Sequence, residues 1–276
     1  MEGNQFLSKK RKAKHIYSIK HAEFKKDFKK FKEKIKKNQT KSKHPQKRKF
    51  NNNKIENNLD DSKFRILNEK LYKSSSQEAL DYFQNNKDDF LTYHNGFKLQ
   101  SEKWPVNPNN VIIKLLLNEK YKNSIICDIG CGEAKIAQKL IPLGYNILSF
   151  DLVSLNKYVK IANMSNLPLD KEICDICIFC LSLMNKNFIP FIIESNRVLK
   201  KNGKLLVAEI TSRIVNKNSF VNIFEKYEYK LIKEKNIQDY FCFFSFSKVK
   251  YVEIKIEDEK REDTYDILKP CIYKKR

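Results

Sequence analysis

The residues best suited to chemistry form a glycine-containing bend followed by a carboxylate. Residues 127–134 (CDIGCGEA) place Gly130 and Gly132 directly after an apolar run, and Asp151 ends the next apolar run. Glycine lets the backbone approach a ligand with no Cβ in the way, and a helix that follows offers free N–H groups. A carboxylate at the tip of the neighbouring strand can accept both ribose hydroxyls of an adenosine. The pattern therefore predicts a site for an adenosine-containing ligand.

Two cofactors fit such a bend, and the sixth position of the motif separates them. A dinucleotide fingerprint has a third glycine where Lys135 stands. S-adenosylmethionine, a compact zwitterionic amino acid joined to adenosine, needs only the first two glycines. We therefore expect S-adenosylmethionine, with S-adenosylhomocysteine as its product; a dinucleotide and a purely structural turn are the alternatives. After the third apolar run, the Asn163 oxygen can accept from the adenine amino group and Met164 can pack on the ring.

Three of the seven cysteines follow a spacing that invites a metal interpretation. They are Cys174, Cys177 and Cys180, each three residues from the next. Side chains alternate along a strand, so this spacing predicts successive thiols on opposite faces and no metal site. An odd number of cysteines, mostly inside apolar runs, suits buried free thiols in a reducing compartment. Cys180 closes the fourth apolar run, where cofactor and acceptor would meet.

The elements that must position these residues follow from the hydrophobic pattern. Apolar runs alternate with helical patterns, which predicts a parallel sheet; the runs are 124–129, 146–150, 158–162, 175–180 and 204–210. Two closing runs, 229–233 and 240–249, have no long helix between them. We expect an α/β, Rossmann-like class I methyltransferase fold, with a mostly parallel seven-stranded sheet and a C-terminal antiparallel hairpin. The aromatic residues of the last run could stack on bases, but a core strand is the stronger prediction: Phe241, Phe243, Phe244 and Phe246.

Helical patterns at 62–90 and 109–117 precede the sheet, with a linking segment over 93–108 between them. A serine at position 76 can cap the second of the early helices. The predicted organisation is a basic disordered arm and linker over 1–62, a helical N-terminal part of the catalytic region over 63–117, and an S-adenosylmethionine-binding domain over 118–276.

The N-terminal arm carries most of the net positive charge. Residues 1–50 contain 19 Lys or Arg and 4 Asp or Glu, a net charge of +15 out of +22 for the chain. They contain few Val, Leu or Ile, so they cannot bury enough apolar surface to offset chain entropy. Such an arm attracts polyanions, nucleic acid above all, although codon bias towards Lys is an alternative source of the charge. No apolar run reaches about 18 residues and no secretory signal is visible, so no membrane partner is expected.

Several segments together resemble one family, from about Phe64 to the C-terminus. The family is ribosomal RNA-processing protein 8, the nucleolar methyltransferase family that includes nucleomethylin. The segments are Tyr93-His94-Asn95-Gly96-Phe97, Trp104-Pro105-Val106-Asn107-Pro108, Asp128-Ile129-Gly130-Cys131-Gly132, Phe150-Asp151-Leu152-Val153-Ser154, Phe179-Cys180-Leu181-Ser182-Leu183-Met184 and the C-terminal run from Leu268 to Arg276.

This resemblance implies methylation of N1 of an adenine in large-subunit ribosomal RNA, during ribosome biogenesis in the nucleus and nucleolus. Pre-ribosomal particles are then possible partners. By motif position it implies six cofactor contacts: His94, Gly130, Asp151, Asn163, Met164 and Cys180. The family commonly has Asp where Asn163 stands, so weaker cofactor binding is expected. No catalytic residue or general base is assigned from the sequence. The alternatives are a protein or small-molecule acceptor, and a non-catalytic S-adenosylmethionine-binding subunit of a nucleolar complex.

Overall fold

The computed structural model describes residues 52–252 and 263–273. The predicted arm over residues 1–50 and the basic C-terminal end lie outside the described residues. Among the described residues, no helix combines the length and apolar character needed to cross a bilayer.

Seven strands form a single sheet in the order β3-β2-β1-β4-β5-β7-β6. The strands are β1 (Ile125–Ile129), β2 (Asn146–Asp151), β3 (Val159–Ile161), β4 (Cys174–Cys180), β5 (Leu199–Ile210), β6 (Tyr229–Ile237) and β7 (Phe241–Lys248). Strands β1 to β5 pair in parallel, whereas β7 pairs antiparallel with both β5 and β6. The topology confirms the predicted mostly parallel seven-stranded sheet with a C-terminal antiparallel hairpin.

Seven helices accompany the sheet within the described residues. They are α1 (Asn52–Lys73), α2 (Ser76–Asn85), α3 (Lys87–Ser101), α4 (Pro108–Leu116), α5 (Lys135–Leu140), α6 (Ile189–Val198) and α7 (Lys217–Lys226). Helix α2 begins in a capping box, in which Ser75 and Glu78 satisfy each other's backbone N–H groups. The cap is therefore Ser75, one residue before the predicted position.

Apolar clusters cover both faces of the sheet, which is why its central strands read as continuous apolar runs. Cys127 and Phe179 belong to one cluster, while Ile126 and Ile178 belong to the other. A third cluster joins the N-terminal helices to the loop after β2, through Phe64, Phe90 and Leu152. The rings of β7 are 0–4% exposed, so its aromatic residues form core as predicted.

Two segments predicted as connections are helical. Helix α1 begins at Asn52, inside the predicted linker, and α3 covers residues 93–97 of the predicted linking segment. Gly96 lies where α3 packs on α1, and a Cβ at that position would overlap the ring of Phe64. Gly96, in the predicted linking segment, is thus a close-contact point between two helices. The domain limits at residues 62 and 117 remain a prediction.

Candidate functional site

The candidate site is a cavity at the carboxyl ends of β1, β2 and β4. In a doubly wound sheet this is the edge where ligands bind. Six of the seven residues singled out from the sequence line it: His94, Gly130, Gly132, Asp151, Met164 and Cys180. Its other walls come from helix α3 and from the residues after β4, including Tyr93, Phe97, Ser182 and Met184.

The bend after β1 is a left-handed turn that glycine makes possible. Gly130 has φ +73° and Gly132 has φ +56°, values that are strained for residues with a Cβ. The amides of Gly130 and Cys131 donate to the carbonyl of Phe150, at 2.9 and 3.0 Å, which ties the bend to β2. A Cβ on Gly130 would also overlap the side chain of Ser182. The two glycines therefore keep the backbone open towards the cavity.

Asp151 faces this bend from the end of β2. Its Oδ2 accepts from the Gly132 amide at 2.6 Å, and its Oδ1 accepts from the Leu152 amide at 2.7 Å. Burial raises the pKa of Asp151 to about 6, and the two backbone N–H groups oppose that rise. The carboxylate is ionised at neutral pH, and each oxygen keeps a lone pair for a further donor. A pair of vicinal hydroxyls meets that requirement.

Asp128 is a site residue that the sequence analysis did not single out. It lines the cavity, is 2% exposed, and has no hydrogen-bond partner for its carboxylate within the described residues. Burial, and then the charge of Asp151, raise the pKa of Asp128 to about 7. A buried carboxylate without a partner suits a cationic ligand group. Its place immediately before the bend was the available sequence signal.

His94 reaches the bend from helix α3. Its ring packs against Phe90 at a centroid distance of 4.4 Å, and its Cε1 lies 3.0 Å from where a Cβ on Gly132 would be. Burial, and then the charge of Lys135, lower the pKa of His94 to about 4. The imidazole is therefore neutral at physiological pH and is suited to packing and neutral hydrogen bonds.

Met164 and Cys180 complete the predicted lining, whereas Asn163 does not. Burial raises the pKa of the Cys180 thiol well above its ordinary value, so the thiol stays protonated. Asn163 is not among the lining residues. Its oxygen accepts from the amide and hydroxyl of Ser165, at 3.0 and 2.8 Å, and its nitrogen donates to Gln77. The oxygen expected to receive the adenine amino group is thus used in a local turn.

The predicted alternation of faces holds between Cys177 and Cys180 but not between Cys174 and Cys177. The register of β4 shifts between Cys174 and Ile176, so Cys174 and Cys177 share a face. Their sulfur atoms and that of Cys127 lie within 4.8 Å of one another, and all three residues are fully buried. Cys180 packs on the other face. The trio lies in the apolar core below the site and, within the described residues, forms a group of three with no fourth ligand.

The residues after β4 form a loop, Leu181–Lys186, which we call the β4 loop. Leu181 has φ +59°. The Tyr93 hydroxyl donates to the Met184 sulfur at 3.1 Å, and the Lys186 amide donates to the Ser74 carbonyl at 3.0 Å. The N-terminal helices thus support one side of the cavity. No sequence signal announced these contacts, because their partners are far apart along the chain.

Comparison with known proteins identifies relatives over most of the chain. A family model described as "Hypothetical methyltransferase" matches residues 50–276. "Ribosomal RNA-processing protein 8" of Dictyostelium discoideum is 44% identical over 81% of this chain and 59% of its own length. That of Caenorhabditis elegans is 43% identical over 79% of this chain and 61% of its own. The "25S rRNA (adenine(645)-N(1))-methyltransferase" of Schizosaccharomyces pombe is 41% identical, over 81% and 71%. The chain therefore spans about three-fifths of the length of each of the first two relatives named here.

Solved structures resemble the chain more distantly. One is the 1,6-didemethyltoxoflavin-N1-methyltransferase of Burkholderia thailandensis with bound S-adenosylhomocysteine, at 11% identity and a TM-score of 0.47, covering 62% of this chain and 90% of that one. Its similarity is too low to carry an argument about the site. The family model and the identities of 41–44% carry the assignment instead: the chain belongs to the ribosomal RNA-processing protein 8 family of methyltransferases.

Proposed function

We propose that this protein is an S-adenosylmethionine-dependent ribosomal RNA methyltransferase that modifies N1 of an adenine in large-subunit RNA. The observation that carries the proposal is the ionised Asp151 carboxylate, held against a two-glycine bend at the carboxyl edge of the sheet. That arrangement suits the ribose of an adenosine.

The residues of the cavity fit the parts of the methyl donor. Asp151 accepts the ribose hydroxyls, and the unpartnered Asp128 carboxylate faces the ammonium group. Met164 packs on the adenine ring, while His94 and the glycine bend enclose the amino-acid portion. When bound, the donor supplies a methyl group on a positively charged sulfur. The Cys180 thiol, protonated at neutral pH, adds a small apolar wall rather than a nucleophile.

The acceptor needs positioning more than proton abstraction. Adenine N1 has an in-plane lone pair at neutral pH, so the protein's task is to hold this atom in line with the methyl group. Watson–Crick pairing buries N1, so the target base must be unpaired or extruded before it enters the cavity. The β4 loop and Tyr93 form the wall available for that base.

The named relatives supply the substrate class. One relative is named for methylation of N1 of an adenine in 25S ribosomal RNA, and others are named for ribosomal RNA processing. The basic arm would hold RNA phosphates without reading sequence. Ribosomal RNA, and the pre-ribosomal particles that contain it, are then the partners, in the nucleus and nucleolus. The proposal includes the predicted division at residues 62 and 117, in which the helical part supports the wall for the acceptor base.

Methylation of large-subunit RNA from cells that lack this protein tests the proposal. The intact chain and S-adenosylmethionine should create one new reverse-transcription stop at an adenine, because a methyl on N1 blocks base pairing. Heat-denatured protein serves as the control. A stop at another base, or methyl transfer to protein alone, would contradict the assignment of the acceptor.

A non-catalytic donor-binding subunit is the second candidate. One observation favours it: the Asn163 oxygen is engaged by Ser165 rather than open to an adenine. Under this alternative the protein binds S-adenosylmethionine and associates with ribosomal RNA, yet produces no methylated base in the same assay.

A further inference from the structure

A buried ion pair lies next to the site but outside it. Glu209, near the end of β5, is 0% exposed, and Arg213, in the turn that follows, is 3% exposed. Their Oε2 and Nη1 atoms are 2.8 Å apart. Neither residue lines the cavity. Taking two charges out of water costs free energy that the attraction between them often does not recover. Stability alone is therefore a weak explanation for such a pair.

Arg213 also donates hydrogen bonds to two other segments. Its Nη2 donates to the Leu183 carbonyl at 2.7 Å, and its Nε donates to the Lys269 carbonyl at 2.8 Å. Its guanidinium also lies 4.8 Å from the centre of the Tyr72 ring. One side chain thus joins β5, the β4 loop, helix α1 and the C-terminal segment of residues 263–273.

The C-terminal segment holds the same loop at a second point. The Thr264 amide donates to the Lys186 carbonyl at 3.0 Å, and the Lys269 amide donates back to the Arg213 carbonyl at 2.8 Å. The Tyr265 hydroxyl donates to the Tyr72 carbonyl at 2.7 Å. The β4 loop is therefore fixed at Leu183 and at Lys186 by groups that never reach the cavity.

The other side of the β4 loop is the wall proposed for the acceptor base. Ser182, Met184 and Asn185 line the cavity on either side of the Leu183 carbonyl that Arg213 holds. We propose that Arg213, oriented by Glu209, is a positioning residue that fixes the β4 loop for methyl transfer to a ribosomal RNA base, while touching neither donor nor acceptor. The RNA part of this inference rests on the proposed function.

A second arginine–glutamate pair, with the arginine only partly buried, provides a control. Arg197 pairs with Glu194 at 2.7 Å and donates to the carbonyls of Leu167 and Leu169, at 3.1 and 2.8 Å. Its chemistry is the same, an arginine held by a nearby glutamate and bonded to two backbone carbonyls. It holds the Leu167–Leu169 segment, and none of these residues lines the cavity.

The experiment compares Arg213→Lys with Arg197→Lys in the full chain. Lysine keeps the charge but cannot bond both carbonyls and the carboxylate in the same plane. We expect Arg213→Lys to lower kcat with stripped ribosomal RNA by roughly tenfold or more, with S-adenosylmethionine Kd within about twofold of wild type. Arg197→Lys should change both by less than about twofold. Glu209→Gln should lower kcat as well, and its effect should not add fully to that of Arg213→Lys.

Hydrogen exchange separates this inference from the proposed function. Arg213→Lys should speed amide exchange at Met184 and Lys186 but not at Leu169, and Arg197→Lys should do the reverse. If wild type methylates no RNA, the proposed function fails, and the exchange pattern alone then decides whether Arg213 holds the loop. Normal turnover with unchanged loop exchange in Arg213→Lys overturns the inference. Equal losses of turnover in both arginine variants also overturn it.

Discussion

The proposed donor side and the proposed acceptor side of the cavity are built from contacts that differ in their separation along the chain. On the donor side, Gly130, Gly132 and Asp151 meet across the neighbouring strands β1 and β2. On the acceptor side, the β4 loop depends on Tyr93 from helix α3 and on Thr264 from the C-terminal segment. The partners on the acceptor side lie 91 residues apart in one of these contacts. The proposed ribose site is therefore local to one strand–turn–strand unit, whereas the proposed acceptor wall depends on segments that are far apart along the chain.

Loss of the Asp151 carboxylate should give the largest effect, confined to the donor side. Asp151→Ala removes both proposed ribose bonds and the bond to the Gly132 amide, so S-adenosylmethionine affinity should fall by roughly 100-fold or more. Asp175→Ala is the matched control, since Asp175 also accepts a backbone amide but at the opposite edge of the sheet. Calorimetry measures both. Similar affinities for the two variants would contradict the proposed ribose site.

Gly130 connects the two sides, so its substitution should damage both. Gly130→Ala forces a Cβ at φ +73° into Ser182 of the β4 loop, and we expect weaker donor binding and slower methyl transfer. Gly144→Ala has comparable strain at φ +84°, but its Cβ would meet only Lys122, at 3.7 Å. Both variants should lose about 1 kcal/mol from backbone strain. If Gly144→Ala impairs the site equally, strain rather than the contact with Ser182 is responsible.

The titration of Asp128 should make the stability of the folded protein depend on pH. Its pKa rises from 3.8 to about 7 in the folded protein, so its contribution to stability is fully present below about pH 4 and is lost as the pH rises through about 7. Asp128→Asn should remove that loss. Its free energy of unfolding should exceed that of wild type by on the order of 2 kcal/mol between about pH 5 and 8. Thermal unfolding across this range measures the gain. The same variant should bind S-adenosylmethionine roughly tenfold more weakly. If the stabilities of wild type and Asp128→Asn instead change in parallel with pH, the Asp128 carboxyl is not buried as described.

Removal of the basic arm should leave the donor side untouched. Deletion of residues 1–50 takes away a net charge of +15, so RNA affinity should fall and depend less steeply on salt concentration. S-adenosylmethionine affinity should stay within about twofold, because residues 1–50 include none of the residues proposed to contact the donor. Filter binding at several salt concentrations measures the RNA affinity and its dependence on salt. Unchanged RNA affinity at every ionic strength would assign the arm another role.

The same difference in range explains what the sequence could predict. Gly130, Gly132 and Asp151 carry a local strand–turn–strand signal, and all three line the cavity. Alternating apolar runs likewise predicted the sheet and its closing hairpin.

The errors have physical causes that sequence spacing does not reveal. The register shift after Cys174 put two thiols on one face, and residues 93–97 of the predicted linking segment are helical, with Gly96 packed against Phe64. The adenine contact of Asn163 stays a prediction; its oxygen accepts from Ser165, a local hydrogen bond that competes with any ligand. Arg213 gave no signal at all, because its partners Tyr72 and Lys269 come together only in the folded chain.

Calorimetric titration of the intact protein with S-adenosylhomocysteine and, separately, with NAD⁺ tests most directly that this pocket holds the methyl donor. We expect saturable one-to-one binding of S-adenosylhomocysteine and no measurable heat with NAD⁺, since Lys135 stands where a pyrophosphate would need a third glycine. Binding of NAD⁺ with no response to S-adenosylhomocysteine would contradict it.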